Sequence, residues 1–205
     1  MRGTAGVRLM TRPFVLGVGG TLRAGSSSEQ ALAHSLNAAA ACGAATELIS
    51  GFDLDLPFYA PGAGERSAAA GRLVAALRRC DAVIIASPSY HGSVSGVLKN
   101  ALDYLEDLSG DPRPYLDGRG VGLIACGAGW QGANSAMAAL RDIVHALRGW
   151  PTPLGATLNT QTPIFDGARC TDPSARFQLE TVGRQAAEFA FNWRRAAMPR
   201  AAQSA

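Results

Sequence analysis

Lysine is almost missing from this chain: Lys99 stands alone among eighteen arginines. The arginines are scattered, without the clustered stripe or interleaved aromatics that grip a nucleic-acid backbone, so nucleic acid is not an expected partner. A formal net charge of only +3 speaks for solubility and a mild attraction for nucleotides. Cysteine is sparse too. Cys42, Cys80, Cys126 and Cys170 lie far apart and form no Cys-x-x-Cys pair, which argues against zinc, an iron–sulfur cluster and a thioredoxin-type redox pair. No metal site is expected, and the four read as small buried hydrophobes of a reducing compartment. Long apolar runs are absent as well: nothing approaches a membrane span, and Met1–Pro13 carries Arg2, Arg8 and Arg12 where a signal peptide has its apolar core. These absences lead to the expectation of a cytoplasmic protein with no membrane partner.

What is present is regular alternation. Strand-like runs at Phe14–Val18, Thr46–Ser50, Ala82–Ser87, Val121–Cys126 and Leu154–Leu158 alternate with helical patterns near Ser28–Cys42, Ser67–Cys80, Gly96–Leu108, Ala133–Leu147 and Ser174–Arg194. Such alternation predicts an α/β fold, a doubly wound five-stranded parallel sheet covered by helices on both faces. In a chain of 205 residues it suggests a flavodoxin-like order, 2-1-3-4-5, with ligands at the carboxyl ends of strands 1, 3 and 4. The expected domain is a single one over residues 13–198, with frayed tails at 1–12 and 199–205. Three segments break the regularity: Gly51–Gly64 is an ordered loop or a lid, Asp107–Gly120 carries Pro112 and Pro114, and Asn159–Pro173 is long enough to reach over the site or a neighbouring subunit.

The first strand ends in Gly17-Val18-Gly19-Gly20-Thr21-Leu22-Arg23-Ala24-Gly25-Ser26-Ser27-Ser28. Backbone N–H groups and hydroxyls converge there on a helix N-terminus, where an anion is favoured, and Arg23 adds a permanent forked charge. No Gly-Lys-Ser/Thr ending makes it a P-loop. No third glycine and no acid near Ser50 complete a dinucleotide fingerprint. A nest around a phosphate monoester remains, against the plainer reading of a Gly/Ser turn with a Ser N-cap. Strand 3 runs into Ser87-Pro88-Ser89-Tyr90-His91-Gly92, a stiffened loop able to edge a flat heterocycle or, equally, to end in a helix capped by Ser95. Strand 4 ends in Gly127-Ala128-Gly129-Trp130, small residues that permit close backbone approach beside an indole that walls a ring or fills a subunit contact. This fold places all three mouths around one crevice.

Two of these segments resemble the NAD(P)H-dependent FMN reductases of flavodoxin-like fold, relatives of quinone and chromate reductases and azoreductases. Gly20 to Ser28 is similar to the family's Gly-Ser-x-Arg-x-x-Ser-x-Asn signature, with Thr21 and Ser28 at its Ser and Asn. Pro88 to Asp103 is similar to Pro-x-Tyr-Asn-Gly-Ser-x-x-Gly-x-Leu-Lys-Asn-x-x-Asp, with His91 at its Asn. The resemblance implies that Thr21, Arg23, Ser26 and Ser28 hold the FMN phosphate. It implies further that Pro88, Ser89, Tyr90, His91 and Gly92 line the flavin and that Gly127, Ala128 and Gly129 touch its ring. Catalysis would then need no dedicated protein residue: a nicotinamide, NADPH or NADH, gives hydride to flavin N5, and a second acceptor is reduced in ping-pong fashion. The family also implies a homodimer or homotetramer, with Lys99 and Asp103 serving the interface.

Other jobs fit the same residues. One is an FMN-dependent dehydrogenase of a specialised metabolite. A second is an FMN-carrying electron-transfer module for a partner monooxygenase, and a third is a flavin-free sugar-phosphate binder.

Overall fold

The computed structural model describes residues 12–62 and 64–196; apart from Arg12, the expected tails lie outside them. In chain order the elements are β1 (Phe14–Gly19), α1 (Ser27–Ala41), β2 (Ala45–Ser50), α2 (Ala68–Arg79), β3 (Ala82–Tyr90), β4 (Ser93–Val94), α3 (Gly96–Asp103), β5 (Gly120–Gly127), α4 (Trp130–Ala146), β6 (Trp150–Pro151), β7 (Ala156–Asn159), β8 (Phe165–Asp166), β9 (Arg169–Cys170) and α5 (Pro173–Ala196). The parallel strands run β2-β1-β3-β5, and both β6 and β7 pair with β5 on its outer side. The fold is therefore α/β and flavodoxin-like, but its main sheet has seven strands instead of five. The last strand, expected at Leu154–Leu158, is observed as β7 (Ala156–Asn159), and a separate two-residue segment, β6 (Trp150–Pro151), precedes it on the same side of β5; Pro153 lies between the two and withholds a ladder N–H. The seventh strand, β4, turns back antiparallel on β3.

Alternation along the central strands sorts side chains to two cores. Leu16, Val18, Val83, Ile85, Val121 and Leu123 pack toward α2, α3 and α4. Val15, Ile84, Ile124 and Cys126 pack toward α1 and α5, as a parallel sheet with both faces covered requires. On that second side α1 and α5 approach closely. A methyl at Gly183 would stand 2.0 Å from the Ser35 carbonyl oxygen, and the Ser35 hydroxyl donates to the Leu179 carbonyl at 2.8 Å. At the amino ends of the strands, fully buried Arg119 donates to the carbonyls of Cys80, Tyr115, Asp117 and Arg78. One guanidinium thereby closes the chain reversal before β5. Three of the four thiols are buried as expected; Cys42 is exposed, at the C-cap of α1.

The irregular segments are tied down. After a 3₁₀ turn at Gly51–Leu54, the Asn100 side chain accepts from Tyr59 N–H and donates to the carbonyls of Leu56 and Pro57. The Tyr104 hydroxyl donates to that same Pro57 carbonyl. Arg66 lies over the rings of Tyr59 and Tyr104 and makes a two-pronged contact with Asp107 at 2.6 and 2.8 Å. Gly51–Gly64 is thus a pinned loop, with Phe58 held outward at 91% exposure. Asn159–Pro173 folds back on its own chain. Its β8–β9 hairpin buries Ile164 and Cys170 against the α1–α5 core.

Two outcomes are expected. The hydrogen bond from Arg66 is the largest influence holding the Asp107 carboxyl below its ordinary 3.8. A depressed carboxyl stabilises the fold fully above the unfolded value and loses that contribution as pH falls through the folded one. Hydrogen exchange followed by mass spectrometry as pH falls from about 5 to about 3 will therefore show residues 51–62 loosening in the native chain. In Asp107→Asn, which lacks the titrating group, the same segment will be loose throughout. In the β3–β4 turn, His91 and Gly92 both have positive φ, 50° and 85°, as a two-residue type I′ hairpin demands. Since asparagine is the favoured non-glycine residue there and a β-branched one is strained, urea titration will find His91→Asn as stable as the native chain or slightly more so. His91→Val will be less stable by about 1–2 kcal/mol.

Candidate functional site

The crevice is built from backbone register. Gly19 of β1 lies beside Ala86 of β3, and Pro88 of β3 lies beside Cys126 of β5, so three strands end side by side and release their loops on one edge of the sheet. Gly19 makes the first join possible: its φ is +145°, and a Cβ there would stand 2.0 Å from the Ala86 carbonyl oxygen. That oxygen instead accepts the N–H of Gly20 at 3.0 Å. The loop after β3 and the start of α4 also meet, since a methyl on Gly132 would be 3.1 Å from Ser89 Oγ.

In the first loop, Thr21 Oγ1 accepts the Arg23 N–H at 3.1 Å and donates to the Arg23 carbonyl at 3.2 Å. This tight turn presents the Arg23 side chain at the surface. Ser26 and Ser28 lie beneath, 2% and 1% exposed, with their hydroxyls 3.3 Å apart. Ser26 Oγ accepts the Glu29 N–H and so caps α1. Capping does not exhaust it: each hydroxyl carries one proton and two lone pairs, so two hydroxyls sharing one bond still have a proton to donate elsewhere. The first-turn N–H groups of Ser27 and Ser28 have no acceptor within the helix. Hydroxyl, amide and guanidinium donors thus surround one helix N-terminus, a donor set that fits a phosphate monoester.

Sequence reasoning passed over three residues of this loop. Glu29 Oε2 accepts the Gly25 N–H at 2.7 Å and its Oε1 accepts the Ser50 hydroxyl at 2.9 Å, while Gln30 Nε2 donates to the Gly25 carbonyl at 2.7 Å. The Ser-x-x-Glu spacing from Ser26 to Glu29, a capping-box pattern, was the available signal for the first of these. Ser50 offered none, because only tertiary pairing of β1 with β2 brings it near.

In the second loop Ser87 is fully buried, and its hydroxyl accepts the Ser95 N–H at 3.0 Å, tying the hairpin root to α3. Ser95 in turn caps that helix through Leu98 N–H. Pro88 and Ser89 are half-buried, Tyr90 is 52% exposed, and His91 and Gly92 form the exposed turn. In the third loop Gly127 is buried and its carbonyl accepts Thr160 N–H at 2.8 Å. Ala128 is exposed, and Gly129, the residue just before α4, has φ +130°. Positions 92 and 129 have nothing within 4 Å of where a side chain would stand, so a flat ring has room above both. Burial pushes the Cys126 thiol up to about 12, which removes it as a nucleophile at neutral pH. Among the described residues no group of three His, Cys, Asp or Glu side chains could hold a metal ion.

A cavity of about 210 Å³ lies elsewhere, between the end of β7 and the start of α5, lined by Trp130, Asn159, Thr162, Asp172 and Gln178 among others. Trp130 therefore faces this cavity as well as the third loop. Lys99 and Asp103 pair with each other at 2.6 Å along α3, both about half exposed.

Residues 13–162 match the family model described as NADPH-dependent FMN reductase. An NAD(P)H-dependent FMN reductase of Pseudomonas aeruginosa is 35% identical over 131 residues, 62% of this chain and 67% of that protein. An FMN-dependent NADPH-azoreductase of Staphylococcus haemolyticus is 34% identical over 101 residues, 48% of this chain and 50% of its own; the chain thus spans about half the length of that relative. Among solved structures, an NADH:FMN oxidoreductase superposes with a TM-score of 0.68 at 18% identity, covering 88% of this chain and 89% of the other, which shows the shared fold. With the match running over most of the described residues, the chain belongs to the NADPH-dependent FMN reductase family, flavin oxidoreductases whose cofactors are FMN and NAD(P)H.

Proposed function

We propose that this chain is an NAD(P)H-dependent FMN oxidoreductase that reduces a second small acceptor, a flavin, quinone or azo compound, in ping-pong fashion. The observation that carries this reading is the meeting of three loops, after β1, β3 and β5, on one edge of the sheet. FMN, when bound, supplies the hydride chemistry: it takes two electrons from nicotinamide and passes them on. The chain's part is to bind and orient. Thr21, Arg23, Ser26 and Ser28 hold the phosphate; Pro88, Ser89, Tyr90, His91 and Gly92 line one side of the ring; Gly127, Ala128 and Gly129 approach it from the other. Backbone N–H groups of the second and third loops offer donors for negative charge developing on the reduced ring. Two separate reactants need access to one ring face in turn, and exposed Tyr90 and Trp130 at 52% and 58% leave the mouth open enough for that exchange.

In this reading residues 13–198 form one FMN-binding domain and the protein works as a homo-oligomer. The rigidly held, exposed Phe58 and the neighbouring Phe52, 73% exposed, supply an apolar surface for self-association. Four free thiols suit the reducing cytoplasm, and among the described residues no helix is long and apolar enough to cross a membrane.

The test is direct. Purified protein supplemented with FMN and mixed anaerobically with NADPH will lose the visible flavin band promptly, without any metabolite present. FMN that binds but stays oxidised would overturn the reductase reading in favour of a metabolite dehydrogenase or an electron carrier, and a protein that ignores FMN would overturn the cofactor site. Arg23→Ala will weaken FMN binding by about 1.5–3 kcal/mol, roughly tenfold to hundredfold, through loss of a charged hydrogen bond to phosphate. Fluorescence titration reads that change, and an unaltered affinity would remove Arg23 from the site.

A further inference from the structure

A carboxylate sits inside the loop that has just been assigned to a dianion. Glu29 is the third residue of α1, and its side chain turns back across the loop between Gly25, bonded at 2.7 Å, and Ser50, bonded at 2.9 Å. Its Cβ lies 3.4 Å from where a side chain on Gly20 would begin, and its Oε1 lies 3.9 Å from the same point on Gly51. Half-buried Glu29 is therefore turned back along the loop, tied at the exposed Gly25 on one side and at Ser50 on the other. Among the described residues no Lys, Arg or His nitrogen comes within ion-pair distance of it, Arg23 included. Among the described residues its negative charge is offset by hydrogen bonds and by the positive end of α1, the same end that would stabilise phosphate.

Two consequences follow from chemistry. The Gly25 N–H is already taken by Glu29 Oε2 and is not free for a phosphate oxygen. A full negative charge on the loop that is read as holding a phosphate monoester repels that phosphate, the more strongly where water is partly excluded. The carboxylate orders the loop through two good hydrogen bonds, yet an uncharged group of the same shape would order it equally.

Resting on the reading of this loop as the FMN phosphate site, we infer that Glu29 is a specificity-determining residue that deliberately weakens the hold on the phosphate and keeps FMN exchangeable. Gln30 adds a second brace by donating to the Gly25 carbonyl at 2.7 Å, so the peptide units on either side of Gly25 are each tied to the first turn of α1.

Glu29→Gln separates the charge from the shape. The amide oxygen can accept the Gly25 N–H and the amide nitrogen can donate to Ser50 Oγ, so the loop keeps its bracing while the charge is removed. The experiment titrates the native chain and Glu29→Gln with FMN and, separately, with riboflavin, which carries the same ring without phosphate, and follows flavin fluorescence at equilibrium and after dilution. The expected result is FMN binding at least about tenfold tighter in Glu29→Gln, expressed mainly as slower release, with riboflavin affinity unchanged. Equal or weaker FMN binding by a variant whose melting temperature matches the native chain would overturn the inference. A parallel change in both flavins would overturn it too, since the effect would then lie in the ring pocket. Should Glu29→Gln melt early, Ser50→Ala provides the second variant: it leaves the charge in place and removes one tether, and FMN binding that tightens in it as much as in Glu29→Gln would rule out charge as the cause. A native chain that binds neither flavin would instead refute the cofactor site itself.

Discussion

The contact on which the rest depends is the one between Gly19 and the carbonyl of Ala86. Strands β1 and β3 can lie side by side to their very ends only because position 19 has no side chain, and the same carbonyl then catches the N–H of Gly20 and turns the chain out of the sheet. That exit direction delivers Thr21 to Ser28 to the head of α1 and sets the loop beside the hairpin that follows β3. Any residue with a Cβ would have to separate the two strands or lose the Gly20 bond. In either case the loops after β1 and β3 would part company.

From that contact outward, the molecule grades from rigid to adaptable in the order its chemistry needs. The strand ends and the buried hydroxyls of Ser26, Ser28 and Ser87 are fixed by the sheet and by helix caps. The loops above them carry the exposed groups, Arg23, Tyr90 and His91. Opposite, at the amino ends of the strands, Arg119 closes the fold with bonds to four carbonyls and no carboxylate, a scaffold role for a charge that sequence alone would place on the surface. Catalytic scaffolds of this type divide labour in the same way, with the sheet holding position while loops recognise ligand.

How much of this was legible beforehand depended on the range of the interaction. The four long strands and five helices could be read because each carries its own period, and the first and second loops could be read because their donors are consecutive in the chain. The last strand was placed within two residues, at Leu154–Leu158 against an observed Ala156–Asn159, whereas β6 at Trp150–Pro151 is too short to carry a period of its own. The β3–β4 hairpin was hidden by His91, which occupies a left-handed position that asparagine would have advertised. The pinning of Gly51–Gly64 by Asn100, Tyr104 and Asp107 could not be seen at all, since those partners lie some forty residues away and meet the loop only after α2 and α3 have packed.

Glu29 shows why motif reading stops short of affinity. By type and spacing it is a helix-capping acid, and in the fold it does brace α1, through Gly25 and Ser50. The same bond that orders the loop takes away one of its N–H donors and leaves a carboxylate in the nest. Arg23 supplies the opposing charge from the exposed rim, where salt and water screen it, while Glu29 is half-buried between Gly25 and Ser50. The electrostatic balance of the site is therefore set by the depth of each group as well as by its sign. A loop that resembles a phosphate signature, with Thr21 and Ser28 at its Ser and Asn positions, does not by that resemblance report affinity, because one side chain just beyond the signature's end folds back onto it.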